Sequence, residues 1–169
     1  LEAFNRKFVD ENSIRLYMVS NPKKITVKNL SITTVEVSNH PVKEMGKRKI
    51  DVDGNFYISG EDAQSIKEGE QIRLLGLGNI LITKQGEEIE GEYVKDGDIK
   101  SIPKIQWVSQ KTAHKIKMII PKILFIGEDF NEDSLEERDV YCEPHYLQLK
   151  DGEEIQFIRF GYCRKDSQN

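Results

Sequence analysis

The sequence is poor in the residues that build disulfide and metal frameworks. Its 169 residues include 2 cysteines and 3 histidines. That is too few for a disulfide scaffold or a closed structural zinc site, which needs four ligands. Cys142-Glu143-Pro144-His145 has the spacing of half a metal site, but no second half can be named. A nucleophilic Cys–His pair lacks an orienting group. His40-Pro41 reads as a structured turn, and Gly76-Leu77-Gly78 lacks the rest of any phosphate-loop pattern. No apolar run reaches the ~18 residues of a membrane helix, which excludes a helical span. The opening, Leu1-Glu2-Ala3-Phe4, carries neither an initiator Met nor an apolar leader and reads as a cut from a longer protein. With so few cysteines, the expected compartment is reducing and cytoplasmic.

A net charge of −4 argues against a general nucleic-acid binder, but the average hides segregation. Residues 127–143 hold Glu128, Asp129, Glu132, Asp133, Glu136, Glu137, Asp139 and Glu143 against Arg138 alone. The rest of the chain is therefore net basic, and a locally positive face remains open. The acidic stretch itself reads as a solvated loop turned away from any polyanion, since its charge would repel phosphates.

Helix signals are sparse: residues 1–12 could finish a helix, and 60–67 could form a short one with Glu61 and Asp62 near its positive end. Strands are expected at 31–37, 72–74, 79–83, 88–94, 104–108, 115–120, 122–126, 146–149 and 155–160. Many short strands separated by Gly, Asp, Asn and Pro indicate an all-β barrel or sandwich. Pro121 cannot donate to a ladder and belongs at an edge or bend.

One internal repeat is present. Residues 66–74 (Ile-Lys-Glu-Gly-Glu-Gln-Ile-Arg-Leu) parallel 149–157 (Leu-Lys-Asp-Gly-Glu-Glu-Ile-Gln-Phe). Either a glycine turn feeding an alternating strand recurs by chance, or a barrel is duplicated and Arg73 and Gln156 are equivalent. Planar hydrogen-bonding side chains punctuate these strands: Arg15, Arg73, Gln156 and Arg159 all have apolar neighbours. They form either a solvated outer face or a surface that reads unstacked bases, because Arg offers a fork of donors and Gln a donor with an acceptor. Composition does not choose between the two.

The motifs do. Asn5-Arg6-Lys7, Asp10, Arg15 and Val19-Ser20-Asn21-Pro22 open the chain. His40-Pro41, Gly46, Arg48, Asp62, Ile72-Arg73-Leu74, Gly78-Asn79 and Ile105-Gln106-Trp107-Val108 follow. Gly152-Glu153, Gln156-Phe157, Arg159, Gly161-Tyr162 and Asp166 close it. In this order and spacing the chain resembles the C-terminal anticodon-binding domain of archaeal and eukaryotic-type glutamyl-tRNA synthetases, a domain shared with the glutaminyl enzymes. Asn21 stands where the family pattern has Asp, and Cys163 where it has Phe.

The resemblance implies an all-β fold of two six-stranded barrels, similar to a ribosomal protein that binds 5S ribosomal RNA. Residues 1–18 would end a helical connector. A proximal barrel would use about 19–30 plus 110–169, and a distal barrel about 31–109. By motif position Arg15 and Gln156 would contact the central U of the anticodon, and Arg73 the first base. Arg159 belongs to the same closing motif. The expected partner is tRNA(Glu), with tRNA(Gln) left open, and the expected state is a monomer without membrane contact. The parent would be a glutamate–tRNA ligase using ATP and Mg2+. Both ATP-site signatures of that family are absent here, so the fragment should bind tRNA, carry no cofactor and catalyse nothing. The glutaminyl counterpart, a free-standing ribosomal-type barrel, and a protein-interaction module favoured by the acidic pI of about 5.5 are the rival readings.

Overall fold

The computed structural model describes residues 9–95 and 101–166. Residues 9–12 are helical; the rest of the expected opening helix and the Asn5-Arg6-Lys7 motif lie outside the described residues. Among the described residues seventeen strands follow, with one short helix and one 3-10 turn.

Strands β1 (Ile14–Leu16) and β2 (Met18–Ser20) are separated only by Tyr17. This run joins two cores by alternation. Successive side chains on a strand point to opposite faces. Leu16 and Met18 enter a smaller core with Met118, Val140, Cys142, Leu149, Ile155 and Phe157. Tyr17 and Val19 enter a larger one built around Phe56 and Trp107.

The larger core is wrapped by β3 (Lys23–Lys28), β6 (Asn55–Ile58), β7 (Gln71–Leu74), β8 (Gly78–Lys84), β9 (Ile89–Val94), β10 (Lys104–Ile105) and β11 (Trp107–Ser109). Their order is β10-β7-β8-β9-β3-β6-β11. Only Gln106 separates β10 from β11, so one run of chain borders both edges of the sheet. Trp107 is fully buried, with Phe56 edge-on at 5.1 Å and Tyr17 tilted at 5.8 Å. Its indole N–H donates to Leu75 O at 2.8 Å, which satisfies the ring's one polar atom. A hairpin, β4 (Thr34–Ser38) with β5 (Lys47–Asp51), adds Val35, Val37 and Ile50 to the same core. Helix α1 (Gly60–Ser65) starts where the Ser59 hydroxyl accepts from Asp62 N–H at 3.1 Å, an N-cap that relieves one orphan donor.

The smaller core lies between two three-stranded sheets. One is β12 (His114–Pro121), β15 (Leu135–Cys142) and β2. The other is β1, β16 (Glu154–Phe157) and β17 (Gly161–Arg164). The tip of the β12–β15 hairpin carries a minimal pair, β13 (Phe125–Ile126) and β14 (Asp129–Phe130).

The fold is all-β as read from the sequence, with local differences. The strand expected over 155–160 ends at Phe157, and 158–160 turn back. The segment 19–30 divides: Met18–Ser20 pairs with β15, whereas Lys23–Lys28 pairs on both sides within the seven-stranded sheet. Residues 146–149 are not a strand, because Pro144 opens a 3-10 turn over Pro144–Gln148. Of 122–126 only Phe125 and Ile126 pair, on an exposed tip with no core to hold a longer strand. The acidic stretch is not simply a solvated loop. Its second half is β15, paired along its whole length with β12. Cross-strand lysines match its charge: Lys115 to Asp139 at 2.7 Å, Lys117 to Glu137 at 2.6 Å and Lys122 to Glu136 at 2.9 Å.

Candidate nucleic-acid interface

The repeat seen in the sequence is a repeat in space, and it is longer than the sequence suggested. Gly69 and Gly152 both take left-handed backbone, with φ of 81° and 83°. The Lys67 N–H donates to the Glu70 carboxylate at 3.1 Å, and the Lys150 N–H to that of Glu153 at 2.9 Å. The following strands, β7 and β16, each turn back into a partner. Leu77 N–H donates to Leu74 O at 3.0 Å, and Phe160 N–H to Phe157 O at 3.1 Å. Gly76 and Arg159 occupy the same left-handed turn position, with φ of 76° and 66°. A third run lies parallel to each hairpin: Leu75 N–H donates to Ile105 O at 3.0 Å, and Ile158 N–H to Leu16 O at 3.1 Å.

This scaffold sets two matching rows of polar side chains. In the small unit Arg15, Gln156 and Tyr162 are register partners across β1, β16 and β17. In the large unit Lys104, Arg73 and Asn79 are register partners across β10, β7 and β8. Sequence reasoning found Arg15, Gln156 and Arg73. It gave no role to Lys104, Asn79 or Tyr162, although extending the repeat from Arg73 to Asn79 and from Gln156 to Tyr162 would have found two of them.

The rows are held differently. Arg15 Nη2 donates to Asp10 Oδ1 at 2.8 Å, and the Tyr162 hydroxyl donates to the same oxygen at 2.6 Å. The Tyr162 hydrogen bond, with Arg15 beside it, holds the Asp10 carboxyl below the usual carboxylate range. Asp10 is fixed in turn through its carbonyl, which lies 3.0 Å from His40 Nε2. His40 Nδ1 accepts from Val42 and Lys43 N–H, so the imidazole shapes a turn, as its sequence context suggested. Arg15 Nε and Gln156 Oε1, a donor and an acceptor on adjacent strands, have no hydrogen-bond partner among the described residues. In the second row Arg73 Nη1 donates to Asn79 Oδ1 at 2.8 Å.

Arg159 is placed apart from both rows. Its Nη1 contacts both carboxylate oxygens of Asp62, at 2.9 and 2.7 Å, and ties the small unit's turn to α1. The units are also joined by a buried ion pair. Arg48 Nε donates to Glu143 Oε1, and its Nη2 donates to Oε2 at 3.0 Å. Glu143 also accepts from Tyr17 N–H at 3.0 Å. Burial pushes the Glu143 carboxyl up, against the opposing pull of Arg48, and pushes the Tyr17 phenol up to about 12. The Cys142 thiol is likewise pushed up to about 12 by burial, which makes it inert as a nucleophile. Among the described residues no group of three or more His, Cys, Asp or Glu could hold a metal. No helix there is long and apolar enough to cross a membrane.

Two hydrogen-bonding rows on a repeated β scaffold, built mostly of planar side chains, can meet flat polar edges. Residues 13–102 match the family described as tRNA synthetases class I (E and Q), anti-codon binding domain, and residues 104–166 match a second family of the same description. The chain is 70% identical over its full length to the glutamate–tRNA ligase of Nitrosopumilus maritimus and 47% identical to that of Cenarchaeum symbiosum. It is 27% identical to that of Methanocaldococcus jannaschii over 175 aligned residues. It spans about 30% of the length of these relatives. The chain belongs to the anticodon-binding domain family of the class I glutamyl- and glutaminyl-tRNA synthetases.

Proposed function

We propose that this chain recognises the anticodon for a longer glutamate–tRNA ligase, with the Arg15–Gln156 row reading the central U and the Arg73 row the first base. The observation that carries this is the register pairing of Arg15 with Gln156, two residues from opposite ends of the sequence. Uracil presents acceptors flanking an N–H donor along its pairing edge. A guanidinium N–H and a glutamine amide oxygen are the complementary set. Single-stranded loops are where RNA bases are free to be read in this way.

The two rows belong, in this reading, to two six-stranded barrels related by duplication, with Lys23–Lys28 in the larger one. ATP and Mg2+ act in the parent enzyme, outside this chain, which lacks both nucleotide-binding signatures. The partner is tRNA(Glu), and the working state is a cytoplasmic monomer.

The test is a titration of wild type, Arg15→Ala, Gln156→Ala and Arg73→Ala against anticodon stem-loops altered at one base each, at fixed salt. A good bidentate base contact is worth about 1–3 kcal/mol of discrimination, judged by DNA base edges. Arg15→Ala and Gln156→Ala should relax preference at the central base, and Arg73→Ala at the first. Equal weakening on every loop, with a shallower salt dependence, would mean these residues hold backbone phosphates instead. An unrelated hairpin bound as tightly as the cognate loop would sink the reading altogether.

A further inference from the structure

Arg15 belongs to the small unit, yet a loop of the large unit holds it in place. Residues 39–46 join β4 to β5, the hairpin whose Val35, Val37 and Ile50 lie in the larger core. This loop meets the Arg15 segment at three points. The Arg15 N–H donates to Asn39 O at 2.7 Å. His40 Nε2 lies 3.0 Å from Asp10 O. Lys43 Nζ pairs with the Glu11 carboxylate at 3.1 Å. The corner of the loop is itself pinned from below. Arg48 Nη1 donates to Ser38 O at 3.1 Å and to Asn39 Oδ1 at 3.2 Å, and Arg48 is fixed in turn by its buried pair with Glu143.

His40 is the buried member of these contacts, 6% exposed, so both ring nitrogens need partners. Nδ1 accepts from the Val42 N–H at 3.2 Å and from the Lys43 N–H at 2.9 Å. A ring nitrogen that faces two donors carries no proton. The ring hydrogen therefore sits on Nε2 and donates to the Asp10 carbonyl. Asp10 passes this constraint to its own carboxylate, whose Oδ1 accepts from Arg15 Nη2 at 2.8 Å and from the Tyr162 hydroxyl at 2.6 Å. Arg15 Nε has no partner among the described residues, so Asp10 is what fixes the fork. The direction of the guanidinium depends on where the Asp10 carboxylate stands, and that depends on the His40 ring. Recognition groups work only when their supporting contacts hold them to about 0.5 Å and 10–20°.

We infer that His40 is a positioning residue for the central anticodon base: its Nε2–H fixes Asp10, and Asp10 aims the Arg15 guanidinium. The inference rests on the assignment of Arg15 to that base. The two sides of the ring have separate tasks. Nδ1 closes the turn at Val42 and Lys43, and Nε2 reaches across to the small unit. The large unit thereby sets the platform from which the small unit reads. The second row has its own support within one hairpin, Asn79 on Arg73, so the influence of His40 is confined to the central base.

The two ring nitrogens can be replaced one at a time. Asparagine places an amide atom where histidine has Nδ1 and stops short of Nε2, whereas glutamine reaches Nε2 and offers nothing at Nδ1. His40→Asn, His40→Gln, Arg15→Ala and the double variant Arg15→Ala with His40→Asn are made in the full-length protein. Each is titrated, at fixed salt, with anticodon stem-loops altered at one base. Amide exchange at Lys43 reports the turn. His40→Asn should keep Lys43 protected and lose about threefold or more of the preference for the central U, part of the roughly fivefold to hundredfold that a bidentate contact provides. Preference at the other two bases should stay as in wild type. His40→Gln should lose protection at Lys43 and keep the central preference within about twofold, the scatter of independent sites. In the Arg15→Ala background His40→Asn should cost no further preference, because it acts only through Arg15. Wild-type central preference in His40→Asn, beside its loss in Arg15→Ala, overturns the positioning role and leaves the Arg15 assignment standing. Equal losses in His40→Asn and His40→Gln, or weakening spread over all three bases, mean that the ring only shapes its turn, and overturn the role as well. A central preference that survives Arg15→Ala overturns the base assignment and the inference with it.

Discussion

The two polar rows share one backbone and differ in every side chain. Lys104, Arg73 and Asn79 stand where Arg15, Gln156 and Tyr162 stand. The turn that launches each row is set by a left-handed glycine and a glutamate that caps the Lys N–H, and neither of these side chains belongs to the row. Scaffold and row are therefore separable: the same hairpin geometry carries two different sets of side chains. The means of holding each row also differ. The small unit uses a charge, Asp10, and the large unit a neutral amide, Asn79.

The largest effect should come from what couples the two units rather than from either row. Arg48 and Glu143 are both buried, and Glu143 also holds the Tyr17 N–H in the run shared by both cores. Removing one partner of a buried pair leaves an uncompensated charge and costs about 3–5 kcal/mol. Glu143→Ala should lower the urea midpoint accordingly. A loss below about 1 kcal/mol would mean that the units are held by their apolar contacts alone.

The equivalence of the two turns can be tested directly. Gly69→Ala and Gly152→Ala each force an L-residue into left-handed backbone, at about 1–2 kcal/mol. A Cβ at Gly69 meets nothing within 4 Å, and one at Gly152 meets only the mobile end of Arg164 at 3.2 Å. The two losses should agree within about 0.5 kcal/mol by chemical denaturation, the usual scatter for independent sites. A clear inequality would break the repeat.

Arg159 sharpens the same comparison, because its counterpart is Gly76. Arg159→Gly relieves a strained backbone but removes the ion pair to Asp62, in which the arginine side chain is 52% exposed. Asp62 is buried but keeps the Ser59 hydroxyl as a donor at 2.8 Å, so the loss is about 1 kcal/mol, the upper end for surface pairs. The stability change should therefore be near zero, within about 0.5 kcal/mol, the size of ordinary surface substitutions. If Arg159 also contacts RNA, the same variant will lose affinity without losing stability, and a denaturation curve beside a binding curve tells the two apart.

Much of this architecture is legible in the chain, and the failures have physical causes. Alternation around Ile72, Ile80 and Ile155 marks strands because one face of each is buried. It fails at Leu135–Cys142, where charges sit on the exposed face and only Val140 and Cys142 are buried. It misleads at Ile123 to Ile126, which is apolar but exposed. The rows are harder. Arg15 and Gln156 carry no local sign of their contact, because parallel pairing of β1 with β16 joins distant segments. Only the resemblance to a known domain put them together. Lys104 was out of reach for the same reason: its place in the second row depends on β10 lying parallel to β7.

A small, pH-dependent effect tests the charge that distinguishes the two rows. Asp10 accepts from both Arg15 and Tyr162, and these bonds hold its folded-state pKa below the ordinary value of 3.8. The sign follows from linkage. A carboxyl with a lowered pKa contributes stability that is present above its unfolded pKa and is lost as pH falls through the folded one. Wild type should therefore be slightly more stable than Asp10→Asn at pH 7, by at most about 1 kcal/mol for so exposed a pair. That gap should close on acidification below about pH 4, the ordinary carboxylate range. Asn79→Ala removes the amide oxygen that accepts from Arg73 and serves as the comparison variant over the same range. Urea titrations of the three proteins from pH 3 to 7 make the comparison. A wild-type advantage over Asp10→Asn that persists unchanged at pH 3 would show that Asp10 acts by its shape and hydrogen bonds rather than by its charge. The two rows would then be held by the same kind of interaction.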